Sequence, residues 1–186
     1  SRAALLTGAY PNRVGMGGSL NHTSTTCIHP REKLFSNLAR DRGYATAIFG
    51  KWHLGHHPPF LPTRRGFDEW FGIPYSNDLG PLHPVTAGLP SLPLYDQEEI
   101  IEADPDQALF TQRFTARAVK FIERHREKPF FLYLAHVMPH VPIFASAKFR
   151  GTSARGLYGD VVQELDASVG EIMATLRRHG LDDRTL

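Results

Sequence analysis

Apolar and polar positions alternate along the chain with two periods, one helical and one typical of strands. Residues 110–122 carry apolar side chains three or four residues apart, which predicts an amphipathic helix. Residues 160–178 show the same spacing, and shorter helical patterns occupy residues 1–8 and 34–38. The apolar positions of these patterns are Phe110, Phe114, Ala118, Phe121 and Ile122; Val162, Leu165, Val169, Ile172, Met173 and Leu176; and Leu34, Phe35 and Leu38.

Capping residues mark the ends of these helices. Asp160 with Gln163 resembles a capping box, which predicts that the last helix begins at Asp160. Gly8, Gly43 and Gly180 follow helical patterns, and glycine readily adopts the left-handed conformation that ends a helix. The sequence therefore predicts separate helices with definite ends.

Two apolar runs have the length of strands. YATAIFG (Tyr44 to Gly50) reads as a short buried strand, and FFLYLA (Phe130 to Ala135) as a strand buried on both faces. Residues 9–30 are predicted to form a loop, and residues 54–105 a long irregular excursion, since both are rich in turn-forming residues. The order of helices and strands favours an α/β fold with a mostly parallel sheet flanked by helices.

Both predicted strands end in segments with titratable side chains. Lys51 and His53 follow the first strand in GKWHLG, and His136 and His140 follow the second in HVMPHVP. Ligands of parallel sheets bind beyond the carboxyl ends of the strands, so we expect the chemistry to converge on that edge. In an extended segment Lys51 and His53 would face the same way, offering a cation and a proton carrier to one pocket.

Each candidate also has a purely structural explanation. Lys51 and His53 can equally be a surface lysine and a hydrogen-bonded histidine, and His136 is interpreted as a core histidine satisfied by backbone. Arg2, near a helix start, is either a bidentate donor to an anion or a solvated first-turn residue. If these residues are functional, they form an anion-handling pocket. Their pattern does not choose between phosphate, sulfate and carboxylate as the anion.

Three other features carry no functional prediction. Cys27 has no neighbouring base or helix dipole, so we expect a small, half-buried residue rather than a nucleophile. His56 and His57 lack a third ligand at a recognisable spacing and are predicted to be exposed. Asn21 begins an Asn-His-Thr triplet that fits a glycosylation sequon, a pattern that is common by chance.

Composition excludes several classes of function. The net charge of +2 and the scattered basic residues give no sign of nucleic-acid binding. A single cysteine excludes an internal disulfide framework and a cysteine-based zinc site. No stretch approaches the ~20 apolar residues that span a bilayer, so no membrane-spanning segment is expected.

Five stretches, in order and spacing, resemble the sulfatase family of the alkaline-phosphatase-like superfamily, most closely its arylsulfatase A and galactosamine-6-sulfatase type. They are SRAALLTGAYPNRVG, GYATAIFGKWHLGHH, FLPTRRGFDEWFGIPYSND, PFFLYLAHVMPHVPIF and GDVVQELDASVGEIMATL. The likeness covers most of the chain and is weakest at residues 82–105. It implies a sulfuric ester hydrolase, which cleaves sulfate monoesters to an alcohol or phenol plus sulfate.

The resemblance implies roles for five residues of this sequence. Arg2 matches the signature arginine that hydrogen-bonds the nucleophile and helps to hold it at the metal site. Lys51 matches the lysine that contacts the nucleophile and the sulfate oxygens, and His53 the histidine that deprotonates the covalent sulfate hemiacetal. Ser76 matches a position that contacts substrate. His140 matches the histidine that binds sulfate and assists protonation of the leaving group.

Further implications of the resemblance are a formylglycine nucleophile and one calcium ion bound by carboxylate and amide oxygens. The family signature, Cys (or Ser)-x-Pro-Ser-Arg, would place the nucleophile three residues before Ser1, and both metal-ligand pairs would fall outside residues 1–186. Asp182-Asp183 and Asn77-Asp78 are not assigned as metal ligands. We therefore expect residues 1–186 to be part of a sulfatase catalytic domain, truncated at both ends and inactive alone.

The expected partner is a sulfated small molecule or glycan, and the expected location is lysosomal, secreted or periplasmic. Two other functions stay open. One is a phosphodiesterase or phosphonate hydrolase of the same superfamily, and the other is a non-catalytic sulfatase-like binding module. The natural substrate is not indicated, because specificity is expected to lie in loops such as residues 82–105, where the resemblance is weakest.

Overall fold

The two apolar runs predicted as strands lie side by side in a mixed sheet in the computed structural model, which describes residues 1–186. The strands are β1 (Ala45–Gly50), β2 (Glu69–Gly72), β3 (Pro93–Asp96), β4 (Glu99–Ala103) and β5 (Phe130–Ala135). Their order in the sheet is β4-β3-β2-β1-β5. β1 pairs in parallel with both β2 and β5, whereas β3 and β4 add an antiparallel hairpin beyond β2.

Helices cover the sheet and confirm the α/β prediction. The α-helices are α1 (Arg2–Thr7), α2 (Phe35–Asp41), α3 (Phe110–His125) and α4 (Gly156–Arg178). Short 3-10 helices span Pro11–Val14, Pro58–Phe60, Pro62–Arg65, Gln107–Leu109 and Asp182–Arg184. Gly8 ends α1 in the predicted left-handed conformation, with φ of 67°. No helix has the length and apolarity that crossing a membrane would require.

The core lies on both faces of the sheet because the side chains of β1 alternate between them. Phe49 points into a cluster of 15 buried residues under α3 and α4, whereas Ile48 points into a cluster of 13 on the side of α1. Both side chains are at most 1% exposed. All five apolar positions predicted for α3 are buried, as the helical periodicity required.

The prediction of an irregular excursion over residues 54–105 is wrong in part. That region contains β2, β3 and β4, although loops and 3-10 helices fill the rest of it. These strands have only four or five residues each, too few to show a period in the sequence. These strands are held in place by contacts with neighbouring strands, such as the stacking of Trp70 on Tyr95 with ring centroids 4.9 Å apart.

Two predictions about buried faces are also corrected. β5 is the last strand of the sheet on its side, and all its residues except Ala135 are only partly buried. In α2 the predicted apolar face is largely open: Leu34 is buried and precedes the helix, but Phe35 and Leu38 are 54% and 43% exposed. Phe35 instead lies against Phe131 of β5, with ring centroids 4.8 Å apart.

The start and the buried face of α4 differ from the prediction. The helix begins at Gly156, so Asp160 lies within it and caps no helix. Its buried carboxylate accepts hydrogen bonds from the backbone N–H groups of Gly151 and Ser153, at 2.8 Å each, and so holds the preceding loop. The apolar positions Val162, Val169 and Met173 are more than a third exposed, whereas the polar positions Glu164, Ser168 and Thr175 are buried. Glu164 and Ser168 face the core because each is hydrogen-bonded there.

Candidate active site

Lys51 leaves the end of β1 at a point where two strands come unusually close. A side chain at Gly50 would lie 2.1 Å from the carbonyl oxygen of Ala135, and its φ of 122° also requires glycine. The Lys51 N–H then donates to that same carbonyl at 2.9 Å. Trp52, buried behind the turn, donates from Nε1 to the carbonyl of Phe60 at 3.0 Å and anchors the segment.

The Lys51 side chain is only 6% exposed, and its ammonium donates to the Ser76 hydroxyl at 3.0 Å. Burial, together with the neighbouring charge of Arg2, lowers the pKa of Lys51 to about 8, while Asp78 opposes that shift. The ammonium therefore stays protonated at neutral pH. It presents a partly desolvated positive charge at the carboxyl edge of the sheet.

Arg2, the first residue of α1, joins the ends of the adjacent parallel strands β1 and β5. One of its guanidinium nitrogens donates to the carbonyl of Lys51 at 2.7 Å and to the Tyr133 hydroxyl at 3.0 Å. The other donates to the carbonyl of His136 at 3.5 Å. Burial lowers the pKa of Arg2 from its usual value, but an arginine stays charged at physiological pH. The solvated first-turn alternative does not fit these contacts.

His53 is held beside Lys51, but not by the extended geometry predicted from the sequence. Its φ is 65°, a left-handed conformation that turns the chain. Its Nε2 lies 2.6 Å from the carbonyl oxygen of Leu20; a carbonyl only accepts, so Nε2 carries the proton and Nδ1 is the basic nitrogen. Burial is the main cause that lowers the pKa of His53 to about 4, and the charges of Lys51 and Arg2 add to it. The ring is therefore neutral at physiological pH.

His140 lies on a loop joined to this cluster, but its ring stands apart from it. The side chain is exposed, and Nδ1 contacts the carbonyl of Val141 at 2.6 Å. The ring makes no hydrogen bond to Arg2, Lys51 or His53. The loop itself is attached, because the side-chain amide of Asn77 donates to the carbonyl of Pro142 at 3.1 Å.

His136 is a partly buried histidine, as predicted, although its partner is a side chain rather than backbone. Its Nε2 lies 2.9 Å from the Ser168 hydroxyl, and burial lowers its pKa to about 4. Cys27 is half-buried as expected, and burial raises the pKa of its thiol, which disfavours the reactive thiolate. His57 is exposed, but the prediction for His56 is wrong, since its ring is half-buried against Tyr75.

Residues 1–186 contain no group of three or more histidine, cysteine, aspartate or glutamate side chains able to hold a metal ion. The candidate site is a set of buried hydrogen-bonding and cationic groups with one carboxylate, Asp78, whose charge acts on both Lys51 and His53. Such a set suits an anionic ligand and proton transfer, and it lacks the oxygen ligands that a calcium site requires.

Sequence reasoning missed several members of this cluster. The sequence places Tyr133 in an apolar strand, yet its hydroxyl accepts a hydrogen bond from Arg2. Asn77 and Gln107 were not selected, although both are buried and hydrogen-bonded to each other. A hydroxyl inside an otherwise apolar strand was the one available signal for Tyr133, whereas Gln107 lies outside every motif that we recognised.

The fold and this cluster define an α/β protein with buried cationic side chains at the carboxyl ends of its parallel strands. The chain belongs to the sulfatase family, since the family described as Sulfatase matches residues 1–186. That match agrees with the resemblance noted in the sequence. It also agrees with the mixed sheet flanked by helices, because the structural neighbours of the chain are sulfatases.

Two relatives and one solved structure illustrate the similarity. N-acetylgalactosamine-6-sulfatase of Mus musculus is 40% identical over 201 residues, which cover 100% of this chain and 39% of the relative. Arylsulfatase A of Bos taurus is 38% identical over 207 residues, covering 100% of this chain and 40% of the relative. The crystal structure of Ps i-CgsB in complex with k-i-k-neocarrahexaose superimposes with a TM-score of 0.79 at 28% identity, covering 97% of this chain and 44% of that chain. This chain thus spans about two fifths of the length of the relatives it matches.

Proposed function

We propose that the complete protein hydrolyses sulfate monoesters to an alcohol or phenol plus sulfate, and that residues 1–186 are part of its catalytic domain. The observation that carries the proposal is the contact of Arg2, Lys51 and Ser76 beyond the carboxyl ends of β1 and β2. Membership of the sulfatase family supports the choice of sulfate over phosphate and carboxylate as the anionic group.

Lys51 would bind an oxygen of the sulfate group. A protonated ammonium with reduced solvation interacts strongly with the charge that grows on sulfate oxygens as the S–O bond breaks. Ser76 directs that ammonium by accepting one of its hydrogen bonds, and contacts the substrate from the same position. Arg2 holds the backbone carbonyl of Lys51 and so keeps the lysine at the strand end while adding positive charge.

The two histidines would handle protons. His53 is neutral at physiological pH, with Nδ1 available as a base, and is assigned the proton abstraction that regenerates the free site. His140 is assigned two roles: it donates a proton to the leaving-group oxygen and it binds the sulfate group. Its exposed ring would need substrate, or a small movement of its loop, to meet the sulfate held by Lys51.

A formylglycine and a calcium ion, which are typical of the family, would come from outside residues 1–186. The described residues do not fit a metal, since they offer no group of three acidic, histidine or cysteine side chains. When present, the formylglycine supplies the attacking oxygen and the calcium ion a positive charge beside it. The residues of this chain then contribute binding, charge and proton transfer.

A sulfated glycan is the substrate class that we favour. The mouse relative is named for the removal of sulfate from an amino sugar, N-acetylgalactosamine. The crystal structure of Ps i-CgsB contains a bound oligosaccharide, k-i-k-neocarrahexaose. The family resemblance also supports a lysosomal, secreted or periplasmic location. The identity of the sugar would be set by loops around the site rather than by the cationic cluster.

A direct test uses the full-length protein with two esters of the same phenol, the sulfate monoester 4-nitrophenyl sulfate and the phosphate diester bis(4-nitrophenyl) phosphate. We expect turnover with calcium present and a higher kcat/KM for the sulfate. A preference for the phosphate would favour a phosphodiesterase or phosphonate hydrolase, and binding of sulfated ligand without turnover would favour a non-catalytic module. The 186-residue chain alone should show no turnover, and activity from it would contradict the proposed division of the domain.

A further inference from the structure

Two buried amide side chains bind each other beneath the candidate site. The Asn77 amide nitrogen donates to Gln107 Oε1 at 2.9 Å, and Gln107 Nε2 donates back to the backbone carbonyl of Asn77 at 3.0 Å. Asn77 is fully buried and Gln107 is 5% exposed. Reciprocal bonds of this kind, removed from water, restrict both side chains to one orientation.

The network also fixes which amide atom is which. The backbone carbonyl of Asn77 can only accept a hydrogen bond, so the Gln107 side chain must turn its nitrogen, Nε2, toward that carbonyl. Oε1 of Gln107 then faces the side-chain amide of Asn77. A second carbonyl, that of Pro142, lies 3.1 Å from the same Asn77 atom, which must therefore be nitrogen. One Asn77 NH2 group thus serves two acceptors from two separate segments.

The Asn77 side chain therefore joins its own segment, which carries Ser76, to the loop that carries His140. Ser76 precedes Asn77 in the chain and accepts the hydrogen bond of the Lys51 ammonium, whereas Pro142 ends the loop that presents His140. Gln107 belongs to the 3-10 helix that leads directly into α3, whose apolar face lies in the core. The amide pair therefore connects both substrate-facing segments to a rigid helix.

We propose that Asn77, supported by Gln107, is a positioning residue that sets the loop of His140 relative to Ser76 and Lys51. The catalytic part of this inference rests on the proposed sulfatase function. The pair acts through other groups: it holds the loop that carries the proton donor next to the segment of Ser76, whose hydroxyl contacts the sulfate-binding lysine. A displacement of about 1 Å at such a position can cost about 100-fold in rate.

Isosteric variants of the full-length protein separate the two halves of the pair. Asn77→Asp replaces the donating NH2 with an oxygen that faces two acceptors, Gln107 Oε1 and the Pro142 carbonyl. Gln107→Glu replaces the nitrogen that donates to the backbone carbonyl of Asn77 with an oxygen but keeps the Asn77 bond to the Pro142 carbonyl, so its effect on the His140 loop should be smaller. Asn37→Asp is the matched control, because Asn37 lies in α2 and uses its side-chain oxygen, which aspartate keeps, to accept from the Leu34 N–H at 3.0 Å.

The first measurement compares kcat/KM for phenyl sulfate, whose leaving group needs protonation, with that for 4-nitrophenyl sulfate, whose leaving group does not. We expect Asn77→Asp to lower the value for phenyl sulfate by roughly 100-fold and the value for 4-nitrophenyl sulfate by no more than about tenfold. Asn37→Asp should leave both unchanged. An equal fall for the two esters in a folded Asn77→Asp protein would overturn the inference.

The second measurement is independent of activity. Hydrogen exchange of the backbone should become faster in residues 137–144 of Asn77→Asp, because their anchor to the Pro142 carbonyl is lost, and stay unchanged in the core of α3. If the wild-type protein cleaves neither ester, the proposed function fails, but the exchange result still decides whether Asn77 holds this loop. Unchanged exchange in residues 137–144 would overturn the positioning role.

Discussion

Ser76→Ala tests whether the buried hydroxyl beside Lys51 supports the proposed reaction. The substitution removes one oxygen and little else, since Ser76 is 4% exposed and its hydroxyl accepts from the Lys51 ammonium at 3.0 Å. Without that acceptor, an ammonium that is already largely buried loses a hydrogen bond that favours its charged form. We expect the pKa of Lys51 to fall below its present value of about 8.

The magnitude follows from the type of bond removed. A hydrogen bond to a charged group contributes about 1.5–3 kcal/mol, and about 1.4 kcal/mol corresponds to a tenfold change in rate. If the bond strengthens as negative charge develops on the substrate, kcat/KM for 4-nitrophenyl sulfate should fall by roughly ten- to 100-fold. The high-pH limb of the kcat/KM profile should also move to lower pH.

The assay is the pH dependence of kcat/KM for the full-length protein and the variant, with the folded fraction checked by thermal unfolding. Ser36→Ala is a matched control, because Ser36 is fully buried and donates to the carbonyl of Arg65 at 2.6 Å in another part of the fold. It should cost stability without moving the pH limb. The reasoning is refuted if Ser76→Ala and Ser36→Ala have the same effect, or if Ser76→Ala leaves the limb in place.

Three further predictions concern proton transfer, the arginine and the core. The wild-type kcat/KM should decline as pH falls through about 4, where His53 becomes protonated. It should also decline as pH increases through about 8, where Lys51 loses its charge, and a full pH profile checks both limbs. Tyr133→Phe removes the hydroxyl that accepts from Arg2 and should lower kcat/KM by about fivefold, measured with 4-nitrophenyl sulfate. Phe121→Ala, at a site 0% exposed, should lower the free energy of unfolding by about 3–5 kcal/mol in a urea titration.

The sequence patterns that predicted the fold correctly were the long ones. The five apolar positions of α3 and the runs of β1 and β5 each extend over enough residues to show a period or a length, although β5 is less buried than its sequence predicts. β2 was missed because its four residues, EWFG, have no pattern of their own and pair only because β1 is already beside them. The start of α4 was misplaced because Asp160 is a good capping residue whose carboxylate here binds a loop instead.

Residues of the candidate site that adjoin the end of a strand could be predicted from the sequence. Residues that join the site through contacts between distant segments of the chain could not. Lys51 and His53 could be selected from GKWHLG alone, because a segment after a buried strand lies at the ligand-binding edge. The partnership of Arg2 with Tyr133 joins residues 131 positions apart, and no local pattern encodes it. The same is true of Asn77 and Pro142, which are 65 positions apart.

Lys51→Met in the full-length protein is the sharpest test of whether the buried lysine at the end of β1 serves sulfate-ester cleavage. The matched control is Lys33→Met, since Lys33 is an exposed lysine whose ammonium pairs with Asp41 at 3.1 Å on the surface. With 4-nitrophenyl sulfate, Lys51→Met should lower kcat/KM by roughly 100- to 1,000-fold, whereas Lys33→Met should stay within about twofold of wild type. A folded Lys51→Met protein that keeps wild-type kcat/KM would contradict the account.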